Sequence, residues 1–365
     1  MNLLKNSSIV PDVEELIAVI KREKRPQRVH FIELFLDDKV KEVICERYGL
    51  AEKINLNDPV YALKREIKIH EFLGYDVFRA GIIHKDFFKM TFINAPDTTQ
   101  IGSQHRGERQ WTEEHKGPIR TWKDFENYPW PKVSDIDLSD LDWLEKNLPE
   151  NMGCYDLTAH ILEIVTFLMG YETFCYTIVD EPDLIDALCE KIGQFYMDYT
   201  RTLCDYECVP LVWGSDDMGF RSGTLASPEF LRKKILPWHK RCAEIAHDKG
   251  RPYLLHNCGN LEEIMDDLID DVGIDAKHSF EDAILPVTEA YKKYRNRISI
   301  LGGIDVDFLC RSDEEGIRRR VKDTLTLCMQ ETGYCLGTGN TVANYIPIDN
   351  YLIMLDEGRK FHSGQ

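Results

Sequence analysis

Two periods of apolar residues alternate along this chain. Short runs of β-prone residues recur, and most are followed by a stretch whose apolar positions repeat every three to four residues, the spacing of an amphipathic helix. After a helical opening at 13–25 that stops near Pro26, VHFIELF (29–35) leads into DDKVKEVICERYGL. The helical ALKREIKIHEFLG then precedes YDVFRAGII (75–83). The same succession returns at NMGCYD (151–156), VPLVWGSDD (209–217), PYLLHNC, IDAKHSF, RISILGGID and GYCLGTGN. Strands are therefore predicted near 30–35, 76–82, 151–156, 210–215, 252–257, 274–279, 298–303 and 333–338. SPEFLRKKILPWHKRCAEIAHDKG forms a long helix before the fifth, with Ser227 suited to the N-cap and Pro228 to the first turn.

Strands separated by helices pair in parallel, and eight such units close naturally into an α/β fold, the (β/α)8 TIM barrel. A doubly wound open sheet is the alternative, but no GxGxxG follows the first strand and there is no Walker sequence. The rhythm breaks between residue 84 and about 150, where alternating stretches such as FKMTFIN and the proline-rich YPWPKVSD read as a hairpin-bearing insertion after strand 2. The expectation is one barrel domain over residues 1–365.

Composition narrows the function classes. With 43% hydrophobic and 30% charged residues the chain is an ordinary globular protein. A net charge of -18 and a pI near 5.1 argue against nucleic acid as a partner. No run is long enough to span a membrane, and the first residues lack the apolar core of an export signal, so the cytoplasm is the expected location. The eleven cysteines, irregularly spaced and without a CxxC pair, then read as reduced thiols rather than a disulfide framework or a zinc ribbon.

The chemistry concentrates at RPYLLHNCGN (251–260). Residues two apart on a strand share a face, so His256 and Cys258 can address one site, and imidazole nitrogen and thiolate sulfur are the ligands zinc prefers. A chain with 11 His and 11 Cys offers accidental pairs too, and zinc needs at least a third ligand. The placement at the carboxyl end of a strand is what raises the pair above chance. Other predicted strand ends add Glu33 and Asp37, Arg79, Tyr155 and Asp156, Asp216 and Asp217, His278 and Glu281, Asp305, and Thr338 and Asn340. Solvated strand ends and helix caps account for a share of these. Asp216 and Asp217 are adjacent and cannot both point inward; one faces the pocket and the other bonds backbone. Arg79 suits either a substrate carboxylate or one of the acids. GGID (302–305) and GTGN (337–340) let backbone approach a ligand, or simply make tight turns.

HNCG, LGGID, SPEFLRKKILPWHKR and LGTGNTVANYIPIDNYLIML together resemble the uroporphyrinogen decarboxylase (URO-D) superfamily, best over 150–360 and more weakly over 25–85. The resemblance implies a (β/α)8 barrel with a deep cleft at the strand carboxyl ends. It also implies one of two chemistries, a cofactor-free decarboxylase or a zinc methyltransferase or O-demethylase that exchanges methyl groups with a corrinoid protein. Departures choose between them. IELFLDDK, with Glu33 and Asp37, stands where the decarboxylase carries an arginine-rich segment, and Thr338 stands where it carries histidine. The H-x-C of the zinc methyltransferases maps onto His256 and Cys258. Their further cysteine in the last strand is replaced by Thr338; Cys335, three residues away, is expected to face the helix layer. The missing ligand is then sought among Glu33, Asp217, His278 and Glu281.

The reading is a zinc-dependent methyltransferase or demethylase acting on a small methylated substrate. Its metal is on His256 and Cys258, with Glu281 or Asp217 as a further ligand. Asp217, Glu33, Asp216 and His278 are the catalytic candidates, and Arg79, Tyr155, Asp156, Asp305, Thr338 and Asn340 the substrate-binding ones. The expected partners are a corrinoid protein docking at the barrel mouth and a second copy of the chain as a homodimer. A metal-free decarboxylase or lyase anchored by Arg79, and a non-catalytic ligand-binding barrel, are the alternatives.

Overall fold

A computed structural model describes residues 3–4, 9–82, 87–96, 108–113 and 115–361. Its strands are β1 (Val77–Arg79), β2 (Phe92–Pro96), β3 (Glu108–Thr112), β4 (Gly153–Tyr155), β5 (Leu157–Thr158), β6 (Val212–Ser215), β7 (Gly219–Phe220), β8 (Gly223–Thr224), β9 (Tyr253–His256), β10 (Ala276–His278), β11 (Ser299–Leu301) and β12 (Tyr334–Cys335). β4 and β5 are one barrel strand interrupted at Asp156, since β4 pairs with β1 and β5 with β6, both in parallel. Parallel pairing continues from β6 through β9, β10 and β11 to β12.

The first predicted strand is reduced to single-residue links. Phe31 bridges Tyr75 on one side and Leu336 on the other, both in parallel. Around it Ile32 N donates to Leu336 O at 2.9 Å and Leu336 N to His30 O at 2.8 Å. These links close the ring of eight, as the sequence led us to expect. A longer ladder is prevented by side chains that occupy its bonding groups. Tyr155 Oη donates to the carbonyls of Glu33 and Leu34, at 2.6 and 2.9 Å. The Glu33 carboxyl accepts Thr338 N at 2.9 Å.

Strand alternation sorts the core into two layers. Ile32, Leu34, Val77, Leu157, Trp213, Leu254, Ala276 and Leu301 fill the barrel with Leu16, Val19 and Ile20 of the helix Val13–Ile20. That helix seals the amino-terminal end, where Val13 N donates to Asn151 O and Ser299 Oγ to Ile20 O. Phe31, Phe78, Tyr253, Leu255, Ile300 and Leu336 face the outer helices. Cys335 belongs to the inner layer, packed with the barrel interior and not the helix layer. Tyr334 and Leu336 point outward and so turn Cys335 inward. Counting parity back from Thr338 misleads because Thr338 lies beyond the end of β12.

In the insertion β2 and β3 pair antiparallel; residues 83–86, 97–107 and 114 lie outside the described residues. The long helix after β8 starts where the sequence put it, with Ser227 Oγ accepting Phe230 N at 3.2 Å. Its second segment widens into a π turn, Leu231–Ile235, just before Pro237, whose ring nitrogen has no hydrogen to donate. No single helix among the described residues is long and apolar enough to cross a membrane.

The closing seam has no room for a side chain at Gly337, where an added Cβ would lie 1.9 Å from Ile32 O. Gly337→Ala is therefore expected to destabilise the fold by about 1–3 kcal/mol, because backbone has to move. Urea denaturation checks this; an unchanged midpoint would show the seam to be soft.

Candidate metal centre

The register of three neighbouring strands builds the site. Ser215, His256 and His278 are direct partners across β6, β9 and β10. Two residues earlier on each strand stand Trp213, Leu254 and Ala276, all in the inner layer, so the partnered trio also points inward, one level nearer the mouth. Apolar packing ends at this level. Just past it, one ligand atom from each of Asp217, His256 and Cys258 lies within 4.8 Å of the others. Cys258 Sγ is 3.5 Å from His256 Nε2, and Cys258 N donates to Asp217 Oδ1 at 3.1 Å. Asn340 Nδ2 donates to Cys258 Sγ at 3.4 Å. The turn that returns Cys258 to the site needs Gly259, which has φ +83°; a Cβ there would sit 2.2 Å from the carbonyl carbon of Gly219.

Burial dominates the electrostatics. It pushes the His256 imidazole well below its ordinary value, with His278 and Lys277 adding repulsion, and His278 down to about 3, with Lys277 adding repulsion, so both rings are neutral. The Cys258 thiol is pushed up by burial and then by the Asp217 carboxylate beside it. Asp217 itself is raised, by burial first and then by Glu163. Glu33 is raised to about 8 by burial, outweighing the Thr338 hydrogen bonds that favour its anion.

Geometry agrees with a protonated Glu33. Thr338 Oγ1 lies 2.5 Å from Glu33 Oε2 and 2.6 Å from Asn340 O, two oxygens for one hydroxyl hydrogen. A neutral Glu33 donates to Oγ1 and frees the hydroxyl hydrogen for the Asn340 carbonyl.

Several expected site residues have other occupations. Asp216 was a catalytic candidate, but its side chain turns outward, accepts Leu162 N and Glu163 N at 3.0 and 2.8 Å, and meets His239 Nε2 at 2.9 Å. It anchors the start of the helix Ile161–Met169. Asp305 caps the helix Val306–Arg311 through Phe308 N and also accepts Asp282 N. His278 stands behind His256, with Nδ1 2.8 Å from His256 Nδ1 and Nε2 3.2 Å from Thr338 O, and is fully buried. Thr338, expected at substrate, is fully buried too. Asn340 reaches the cluster through Cys258 rather than lining it independently.

Asp156, buried behind Arg79, accepts Tyr199 Oη at 2.8 Å and Arg79 Nε at 3.2 Å. Arg79 and Tyr155 line, with Glu33 and Phe35, a cavity of about 580 Å³ between the first two strands and their helices. Asp37 is on its rim and accepts Asn344 N at 2.9 Å. Glu281 is not in the cluster and faces a smaller pocket with Lys277.

Lys277 was missed. It is buried, donates to Ser279 O at 2.8 Å, lies over the Phe280 ring, and is lowered to about 8 by burial. Its place between Ala276 and His278 on β10 was the available signal, since a lysine within a buried strand needs an explanation. His239 was equally invisible, because nothing in a helical segment marks the one histidine that meets a strand-end aspartate.

A closed parallel barrel with an N, S and O donor cluster at the carboxyl end of its strands defines the class: a (β/α)8 protein with this cluster at the end where such barrels carry their sites. The sequence model of the uroporphyrinogen decarboxylase (URO-D) family matches residues 116–361, and the chain belongs to that family. No curated protein matches the chain. Among solved structures, a methyltransferase from Methanosarcina mazei is similar with a TM-score of 0.67 at 15% identity, covering 96% of this chain and 98% of its own. A putative vitamin-B12 independent methionine synthase from Listeria monocytogenes follows at a TM-score of 0.50 and 12% identity, covering 96% and 97%. At these identities the likeness is one of fold.

Glu33 yields a pH test. Its value is near 4.5 unfolded and about 8 folded, so between those limits the folded protein holds a proton that the unfolded chain releases. Its contribution is intact below pH 4.5 and is lost as pH rises through 8. Glu33→Gln reproduces the neutral acid, with the amide donating to Thr338 Oγ1. The variant is expected to match the parent's melting temperature at pH 5 and to exceed it at pH 8.5 by an amount on the order of a few kcal/mol in stability. Equal melting curves at both pH values would show Glu33 to be ionised in the fold.

Proposed function

We propose that this protein is a zinc-dependent methyltransferase or demethylase that moves a methyl group between a small methylated substrate and a corrinoid protein. The observation that carries the reading is the meeting of Asp217, His256 and Cys258 at the barrel mouth. The donor set fits zinc: a neutral imidazole, a thiol that can be deprotonated, and a carboxylate, three protein ligands, the number that catalytic zinc sites use. When bound, zinc supplies Lewis-acid polarisation of the oxygen, sulfur or nitrogen that carries or receives the methyl group.

The chain's own residues supply the rest. Asn340 orients the Cys258 sulfur through its amide hydrogen, and the Cys258 backbone N–H holds Asp217 in place. Glu33 keeps a proton at Oε2 on the wall of the cavity, where Arg79 offers a cation to an anionic substrate group. The corrinoid partner would dock over the mouth, and the cytoplasm is where the reduced thiol persists. Membership of the URO-D family and a fold shared with a methyltransferase support this reading. Arg79 on the cavity wall favours the second reading, a metal-free lyase of a small carboxylic acid.

Metal analysis of protein purified without chelator separates the two. About one zinc per chain is expected, lost in Cys258→Ala with the fold retained, because a residue at the mouth contributes little core volume. Cys335→Ala, lower in the barrel, keeps its metal. Methyl transfer from methyl ethers, thiols or amines to a reduced free corrinoid, followed by its absorbance, should vanish with the zinc. A metal-free parent, or zinc retained in both variants, moves the assignment to the lyase.

A further inference from the structure

We infer that the Thr338 carbonyl, acting through His278, fixes His256 in the tautomer protonated at Nδ1, so that its Nε2 lone pair is presented beside Cys258 and Asp217. The argument is a proton count along three contacts. A carbonyl oxygen only accepts, so His278 Nε2, 3.2 Å from Thr338 O, carries a hydrogen. His278 is fully buried, lies edge-on to Trp213 and meets His256, Thr338 O and no carboxylate at hydrogen-bond distance among the described residues. A second proton would bury a cation without a counter-ion, so Nδ1 of His278 is a lone pair. The 2.8 Å between the two Nδ1 atoms then requires one hydrogen, and it can only belong to His256. The opposite tautomer would set two lone pairs against each other. His256 Nε2 is left bare, 3.5 Å from Cys258 Sγ.

The backbone is shaped to permit this relay. Gly302 has φ +70°, and a Cβ on it would stand 2.3 Å from Thr338 O and 2.9 Å from His278 Nε2. Any other residue would wedge the carbonyl from the ring. His278 is thus a positioning residue for the ligand histidine, and Thr338 contributes its carbonyl, not its hydroxyl, to that role. As far as it concerns metal, the inference rests on the function proposed above; the tautomer itself does not.

The test begins with metal-free protein labelled with ¹⁵N-histidine. Long-range ¹⁵N–¹H correlation at pH 7, assigned with His256→Gln and His278→Asn, should show His256 protonated at Nδ1 and His278 at Nε2. A hydrogen on His256 Nε2, or either ring as a cation, overturns the inference. The second arm is zinc affinity by chelator competition. His278→Leu, which deletes the acceptor, should bind about 10–100-fold more weakly, while His278→Asn, whose Oδ1 replaces the Nδ1 acceptor, should stay within about threefold of the parent. Parent-like zinc affinity in His278→Leu refutes the positioning role. A parent that binds no zinc removes the metal reading, and the ¹⁵N spectrum still decides the tautomer. If His278→Leu fails to fold, His278→Asn and the parent spectrum carry the test.

Discussion

The double pairing of Phe31, to Tyr75 and to Leu336, is the link on which the rest of the molecule depends. An open parallel sheet would leave its edge groups exposed and its strand ends fanned apart. Closing the ring forces every second residue into one interior and brings eight carboxyl ends to one mouth. The helix Val13–Ile20 seals the other end, so the mouth is where polar side chains from different strands can meet. The register between β9 and β10 then sets His256 directly beside His278.

The two adjacent aspartates show how one strand end serves both stability and chemistry. Asp216 goes outward, where it satisfies two backbone N–H groups at a helix start and pairs with His239. Asp217 goes inward and is held by Cys258 N. The outward residue ties β6 to two helices, and the inward one meets His256 and Cys258 from a neighbouring strand. Thr338 plays a comparable double part at the seam. Its N–H and hydroxyl meet Glu33 from the first strand, and its carbonyl meets His278 from the sixth.

The period of apolar residues was enough to read the barrel, because parallel strands buried on both faces leave short apolar runs that amphipathic helices separate. It could not show that the first run forms only bridges. That outcome depends on Tyr155, more than 120 residues away, taking the carbonyls of Glu33 and Leu34. The H-x-C spacing pointed to two of the three residues that the fold brings together with Asp217, and the split between Asp216 and Asp217 followed from adjacency alone. Which aspartate turned inward did not, since the deciding groups lie on other helices. Parity misplaced Cys335 for a local reason, the departure of the backbone from strand geometry beyond β12. Asp305 and His278 looked alike as polar strand ends; only the neighbouring turns show one as a helix cap and the other as the partner of His256.

The polar level at the mouth is not something the barrel needs in order to fold. Directly beneath it, Trp213, Leu254 and Ala276 fill the same three strands with apolar volume and leave no ionisable group to satisfy. One level up, burial opposes the charged form of both imidazoles, the Cys258 thiol and the Asp217 carboxyl. Apolar residues of similar size would make that level at least as stable, because buried ionisable groups seldom repay their desolvation. A neutral imidazole, a protonated thiol and a reluctant carboxylate held within 4.8 Å therefore sit at a cost to stability. A bound cation would reverse the balance for all three, since it would favour the thiolate and the carboxylate and use the lone pair that the relay through His278 exposes.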